Sequence, residues 1–196
     1  MNPIQELIDE HEAVRLTLRI LGRIGNEIDR DQRISNPADL EQLLEFFAVF
    51  VDRCHHSKEE ELLFPALEAV GVSRTGGPIG VMLEEHAQGR RHVAGMKRGL
   101  ADHLNGDPRA LQTIKNHALS YIDLLSRHIH KENQVLFPLA LHHLSPAEQA
   151  ALKEGFDRIE ETKIGAGRHE AFHRLLDRLE HAYLEDGSVP SRKIVS

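Results

Sequence analysis

Between Ile4 and Ile28 the apolar side chains fall at Ile4, Leu7, Val14, Leu18 and Leu21, and His11 takes the remaining place in the seam. Steps of three and four mark one face of a helix packed against other helices. Asn36-Pro37 followed by Asp39 predicts a capped start for a second helix. Its stripe carries Leu40, Leu44, Phe47, Val51, His55 and Glu59. Gly71 to Pro78, containing Gly76-Gly77-Pro78, reads as a loop. A third helix follows with Ile79, Met82, His86, Val93, Met96 and Leu100 on its seam. After a turn at Asn105-Gly106-Asp107-Pro108, a fourth shows Leu111, Ile114, Ala118, Tyr121, Leu125, His128 and Glu132 on one face. Ser145-Pro146-Ala147-Glu148 is a capping-box start for a fifth, running through Leu152, Phe156 and Ile159. Beyond Gly165-Ala166-Gly167 a last helix carries Phe172, Leu175, Leu176, Leu179 and Tyr183. No β-rich region is visible. The expected fold is all-α: an up-down four-helix bundle over residues 1–144 and an additional C-terminal helical pair over residues 145–196. The tail after Asp186 is polar and expected to be loose.

One stretch is used twice. His55-His56-Ser57-Lys58-Glu59-Glu60-Glu61-Leu62-Leu63-Phe64-Pro65 aligns without a gap on His128-Ile129-His130-Lys131-Glu132-Asn133-Gln134-Val135-Leu136-Phe137-Pro138. The first His, the Lys, the Glu, the second Leu, the Phe and the Pro are identical. On a helix, positions i and i+4 share a face, so each copy offers an imidazole beside a carboxylate. His56 and Glu60 have the same spacing, so the register has to be chosen. His56 stacks on Asp52 and Arg53, a solvent-like face, whereas His55 stacks on Val51 and Ala48. The expected inward pair is therefore His55 and Glu59, with His56 outside. His130 is likewise expected to point away, and His117, about 16 Å before His128 along the helix, to be a neighbour of the core. Pro65 is expected to kink or end its helix.

Composition narrows the chemistry. The chain has 196 residues, 40% hydrophobic, with a net charge of -7, which argues against nucleic acid as a partner. No apolar run approaches the roughly 20 residues that span a bilayer, and the opening residues carry no secretory signal. A cytoplasmic, soluble protein is expected. Fourteen histidines stand out, as suits a protein needing neutral nitrogen ligands near pH 7. Cys54 is the only cysteine, so no internal disulfide can form. We read it as a small buried seam residue in preference to a redox-sensitive thiol.

The inward-facing candidates are His11, His55, Glu59, His86, His128 and Glu132. Four imidazoles with two carboxylates able to bridge suit two metal ions better than one four-coordinate zinc. Imidazole with carboxylate and no thiolate fits iron, with manganese or zinc as alternatives.

At these residues the sequence resembles the hemerythrin-like (HHE) cation-binding proteins, over roughly Ile4 to His143. The resemblance is carried by His11, by His55 and Glu59 before Leu-Phe-Pro, by His86 in Gly77-Pro78-Ile79-Gly80-Val81-Met82-Leu83-Glu84-Glu85-His86, and by His128 and Glu132 before Leu-Phe-Pro. It implies two non-haem iron ions bridged by the two carboxylates and an oxo or hydroxo group. It also implies binding of dioxygen or nitric oxide, or a role in iron and redox stress. The oxygen carriers of the family have a second His four residues after the third-helix His, where this chain has Arg90. They also carry an Asp five residues after the fourth-helix His, where this chain has Glu132 at four. One iron is then expected to have an open position or to draw a ligand from elsewhere. The surroundings of Lys58-Glu59 and Glu132-Asn133 also resemble bacterial iron–sulfur cluster repair proteins. Those carry a separate N-terminal cysteine-bearing domain, which is not expected in this chain.

His169-Glu170-Ala171-Phe172-His173 matches the HExxH zinc metalloprotease pattern. A zincin also needs a third ligand and a substrate groove, and only a short polar tail follows. One of these histidines could instead substitute as a ligand in the bundle. The leading expectation is a non-haem di-iron protein that binds or senses dioxygen, nitric oxide or peroxide. Two other classes compete with it: a di-iron enzyme or repair-type iron donor, and a structural metal bundle without turnover.

Overall fold

The Asn2 side chain accepts a hydrogen bond from the Ile4 amide at 2.8 Å, and Pro3 opens the first turn of α1 (Pro3–Asp31). Asn36 caps the second helix in the same way, accepting from the Ala38 amide with Pro37 behind it. A computed structural model of the chain describes residues 2–165 and 167–185, and no β-strand occurs among them. The expectation for the tail after Asp186 lies outside the described residues.

The second helix, α2, spans residues 37–69 and changes gauge along its length. Pro37–Phe46 is α-helical, Phe47–His56 and Glu59–Leu63 are π-helical, and Phe64–Ala69 is α-helical again. The helix α3 is Pro78–Leu104. The helix α4 spans residues 110–143: Ala110–Lys131 is α-helical, Glu132–Leu136 is π-helical, and Phe137–His143 is α-helical. Pro65 and Pro138 therefore neither end nor break their helices. In an α-helix each ring would strike the carbonyl four residues back. The wider turn just before each proline relieves that clash, and the Phe amide bonds the carbonyl of the ligand-type Glu five residues back, Phe64 to Glu59 and Phe137 to Glu132.

The first four helices form the expected bundle, each packed on its chain neighbour and α4 closing back onto α1. Small residues let α3 approach α4 closely: a Cβ on Gly99 would lie 2.8 Å from the Ile114 side chain. The C-terminal pair follows as α5, spanning residues 146–164 with the Ser145–Glu148 capping box at its start, and α6, spanning residues 168–185.

The buried apolar residues fall into two clusters. One contains Val14, Phe47, Val51, Tyr121 and Leu125, and the other Leu7, Leu63, Phe64, Met82 and Phe137. His11, His55, Glu59, His86, His128 and Glu132 lie between the two along their helices, a polar layer inside an apolar molecule. Burying a large apolar side chain stabilises by roughly 1.5–3 kcal/mol, so two such clusters can carry a layer that is costly to bury. The C-terminal pair joins both clusters, Leu152 and Phe156 in one, and Phe172, Leu176 and Leu179 in the other. Among the described residues no helix is long and apolar enough to cross a membrane.

Candidate metal centre

The six expected residues all meet in the layer, and a seventh joins them. Two groups of potential ligand atoms form, His11, His55, Glu59 and Glu132 in one, His56, Glu59, His86 and His128 in the other. His56 is thus a correction to the sequence reading. It is 3% exposed and stacks on His86 with ring centroids 3.8 Å apart. The wheel that placed it over Asp52 and Arg53 assumed 3.6 residues per turn. The π-helical Phe47–His56 stretch turns less per residue, so His55 and His56 both face inward. In the second copy the helix stays α-helical as far as Lys131, and His130 is exposed as expected. Arg90, four residues after His86, is not part of either group; it pairs with Asp52 and Glu60.

The ring nitrogens are sorted by their partners. Nδ1 of His55 lies 2.6 Å from Glu10 Oε2, Nδ1 of His86 2.7 Å from Glu60 Oε1, Nδ1 of His128 3.0 Å from Glu85 Oε2, and Nδ1 of His11 2.9 Å from Asn133 Oδ1. An ionised carboxylate and an amide oxygen only accept, so these Nδ1 atoms carry the protons and donate. Their Nε2 atoms point inward and present lone pairs once any second proton has left. The Nε2 atoms of His11 and His55 lie 3.1 Å apart, as do those of His86 and His128. With both nitrogens deprotonated the members of a pair cannot bond each other, and their lone pairs converge on a place for a cation.

The outer partners close a ring. Each is the chain neighbour of another residue of the layer: Glu10 of His11, Glu60 of Glu59, Glu85 of His86, Asn133 of Glu132. Thus α1 supports the His of α2, α2 that of α3, α3 that of α4, and α4 that of α1. Such partners fix ring orientation and strengthen the ligand. The repeated Phe adds a floor, Phe137 stacking on His11 at 5.4 Å and Phe64 on His86 at 5.9 Å.

Both carboxylates are wholly buried, and none of their four oxygens has a hydrogen-bond partner. Glu59 Oε1 is 3.7 Å from His55 Nε2 while its Oε2 is 3.4 Å from His86 Nε2. Glu132 Oε2 is 3.2 Å from His11 Nε2 while its Oε1 is 3.1 Å from His128 Nε2. Each carboxylate therefore faces both halves. Burying two carboxylates face to face costs several kcal/mol, a cost that a cation shared between them would lower. The donor set, nitrogen and oxygen without sulfur, fits iron, manganese or zinc.

A family model for the hemerythrin HHE cation-binding domain matches residues 2–140. The chain belongs to that family. Among curated relatives, an iron–sulfur cluster repair protein YtfE of Dickeya chrysanthemi is 39% identical over 92 residues, 44% of this chain and 40% of the relative. Its counterpart from Escherichia coli O1:K1 is 38% identical over 90 residues, again 44% and 40%. The chain thus matches well under half the length of these relatives. No solved structure matches it.

In this HHE domain the metal-free electrostatics are set by burial and by the paired carboxylates. Burial holds His55 below the usual histidine range, and burial with neighbouring imidazoles holds His56 and His86 well below it. All three are ready as neutral ligands. Burial also acts on His128, but the Glu132 carboxylate outweighs it and raises this group to about 9. Burial and the facing Glu132 push Glu59 well above the usual carboxylate range. Glu132 stays well below it, since His128 and His11 outweigh its burial. Without metal, Glu59 and His128 hold protons that a cation must displace.

Outside the layer, His169 and His173 are exposed, and among the described residues no third ligand converges on them. Cys54 is 0% exposed, and burial pushes its thiol up to about 12, which leaves it protonated. His117 is half-buried, with Nδ1 3.2 Å from Nδ1 of His92.

Proposed function

We propose that this HHE protein holds two non-haem iron ions and works in iron–sulfur cluster repair under oxidative or nitrosative stress. One observation carries the di-iron part: two buried carboxylates, each facing two sets of inward imidazole nitrogens, with no other partner for their oxygens. His11 and His55 would hold one ion, His56, His86 and His128 the other, and Glu59 and Glu132 would bridge. Iron so held supplies redox chemistry and affinity for small oxygen and nitrogen ligands. The protein's own part is to fix five Nε2 lone pairs, to neutralise the charge with two carboxylates, and to shield the pair between apolar clusters. The likeness to repair proteins, over part of their length, favours supply of iron to damaged clusters over reversible oxygen storage.

The test has two steps. Elemental analysis of untagged protein should give close to two irons per chain; one zinc instead would favour a structural site. The loaded chain should then restore absorbance and activity to a [4Fe–4S] enzyme whose cluster nitric oxide has degraded. Restoration no faster than with free ferrous iron sinks the repair reading.

A second reading has its own observation. A cleft between α2 and α3, lined by Phe47, Asp52, His56, Arg90, Lys97 and Tyr121, reaches the ligand layer at His56. Dioxygen, nitric oxide or peroxide would enter there if the protein binds or senses them. A stable charge-transfer band when the reduced protein meets the gas, reversed on its removal, would favour this reading.

A further inference from the structure

The helix α5 lies beyond the residues matched to the HHE family, yet it docks on the turn of α2 that carries His55 and Glu59. The approach is close: a Cβ on Gly155 would sit 2.7 Å from a Leu62 methyl. Phe156 lies under the Lys58 ammonium, 5.5 Å from ring centroid to Nζ. Lys163 donates to Ser57 Oγ at 2.9 Å and pairs with Glu61. At the centre of this contact is Lys58, 0% exposed. An ammonium has three N–H donors. Those of Lys58 reach Glu6 Oε1 at 2.7 Å, Glu10 Oε1 at 2.5 Å and Glu160 Oε1 at 2.6 Å. The other oxygen of Glu10 holds His55 Nδ1. Lys153 of α5 adds a contact of 3.4 Å to Glu6 Oε2.

We propose that Glu160 is a positioning residue for the metal centre, acting through Lys58 and Glu10 on His55. Through this one side chain, α5 thereby sets how tightly the His11/His55 half grips its ion. The inference rests on the metal reading proposed above. Its physical basis is geometric. Two anchors of the ammonium come from α1 and the third from α5, so the three together fix where Nζ sits. Nζ in turn fixes Glu10, and Glu10 fixes the plane of the His55 ring. With Glu160 neutral the third anchor weakens, Lys58 can swing towards Glu6, and the His55 ring gains freedom. Among the described residues the other half has no such tie. Glu60 and Asp52 are held by Arg90, and Glu85 by Lys131, all within the bundle. The effect of Glu160 should therefore be one-sided.

The experiment loads the full chain with Co(II) alone and follows its release to excess EDTA optically. In Glu160→Gln one equivalent should leave at least about tenfold faster, the scale expected for an outer-shell partner, while the second keeps its wild-type rate. Leu179→Ala, which loosens the packing of α6 and leaves α5 and its Glu160 in place, is the control and should not produce this asymmetry. Wild-type rates for both ions in Glu160→Gln, equal acceleration of both, or the same one-sided change in Leu179→Ala would each overturn the proposal. The His55 Nδ1–H resonance in the metal-free full chain gives a readout independent of loading. It should shift in Glu160→Gln while those of His86 and His128 stay. If that shift is seen in a chain that takes up no iron, the positioning role stands and only the di-iron reading falls.

Discussion

The two halves of the buried layer share two carboxylates but are backed in opposite ways. Behind His55 stand Glu10 and Lys58, sealed from solvent, with Phe156 below the ammonium. Behind His86 and His128 stand Glu60 and Glu85, held by Arg90 and Lys131, which are 41% and 36% exposed. The first half is a fixed mount. The second borders the cleft at His56 and is tied by ion pairs that solvent screens. On the di-iron reading proposed above, the same donor types would form one position that retains its ion and one that exchanges or reacts, and the difference would lie in residues outside the ligand set.

The strongest test of that division acts on what the halves share. Glu59→Ala should cost both ions, since Glu59 belongs to both groups, and its affinity loss should exceed the ~10–100-fold of outer partners. Retention of one full equivalent by elemental analysis would mean that Glu59 does not bridge. Next is His56→Ala, expected to lose one ion from the cleft side, with His130→Ala as the neutral companion. Equal metal content in both variants would remove His56 from the centre.

A pH series comes third. His128 and Glu59 hold protons in the metal-free protein, so affinity measured by chelator competition should rise with pH through about 9. The stability of the metal-free chain should run the other way. His128 is raised in the folded state, so its contribution is complete below about 6.5 and is lost as pH climbs through about 9. Denaturant melts at pH 6 and pH 9.5, with and without metal, check both signs. The smallest expected effect is that of Arg90→Leu, which frees Asp52 and Glu60. Release from the cleft-side position should quicken by about tenfold or less, with the His11/His55 position unchanged. A change confined to the sealed side would reverse the assignment.

The bundle was legible because its seams keep a strict three-four spacing and its starts carry Asn-Pro and Ser-Pro caps. Six ligand-layer residues were legible for the same reason, each replacing an apolar residue at a seam position. His56 was not, because the departure from α geometry in Phe47–His56 has no signature in apolar spacing. Pro65 hints at a widened turn, yet Pro138 lies behind an equivalent turn and leaves His130 outside. The outer shell was hidden for another reason. Glu10, Glu60, Glu85 and Asn133 sit one step round the helix from a ligand, on a flank that reads as surface until the neighbouring helix is in place. Lys58 shows the limit most plainly, since a lysine beside Glu59 and Glu60 gives no sign of complete burial.

The closed ring of outer partners also bears on how the four helices find their alignment. Seams of Leu, Ile and Val can slide past one another by a turn at modest cost. A slip of α3 alone would take His86 from Glu60 and, in the same movement, Glu85 from His128. Every helix is thus checked by the one before it and the one after it, and a slip of any one of them breaks two of the four contacts at once. On this hypothesis the centre works as a combination lock on alignment. Glu85→Ala should then leave helix content intact while the metal-free protein binds a hydrophobic dye more strongly, and unchanged dye binding would count against it.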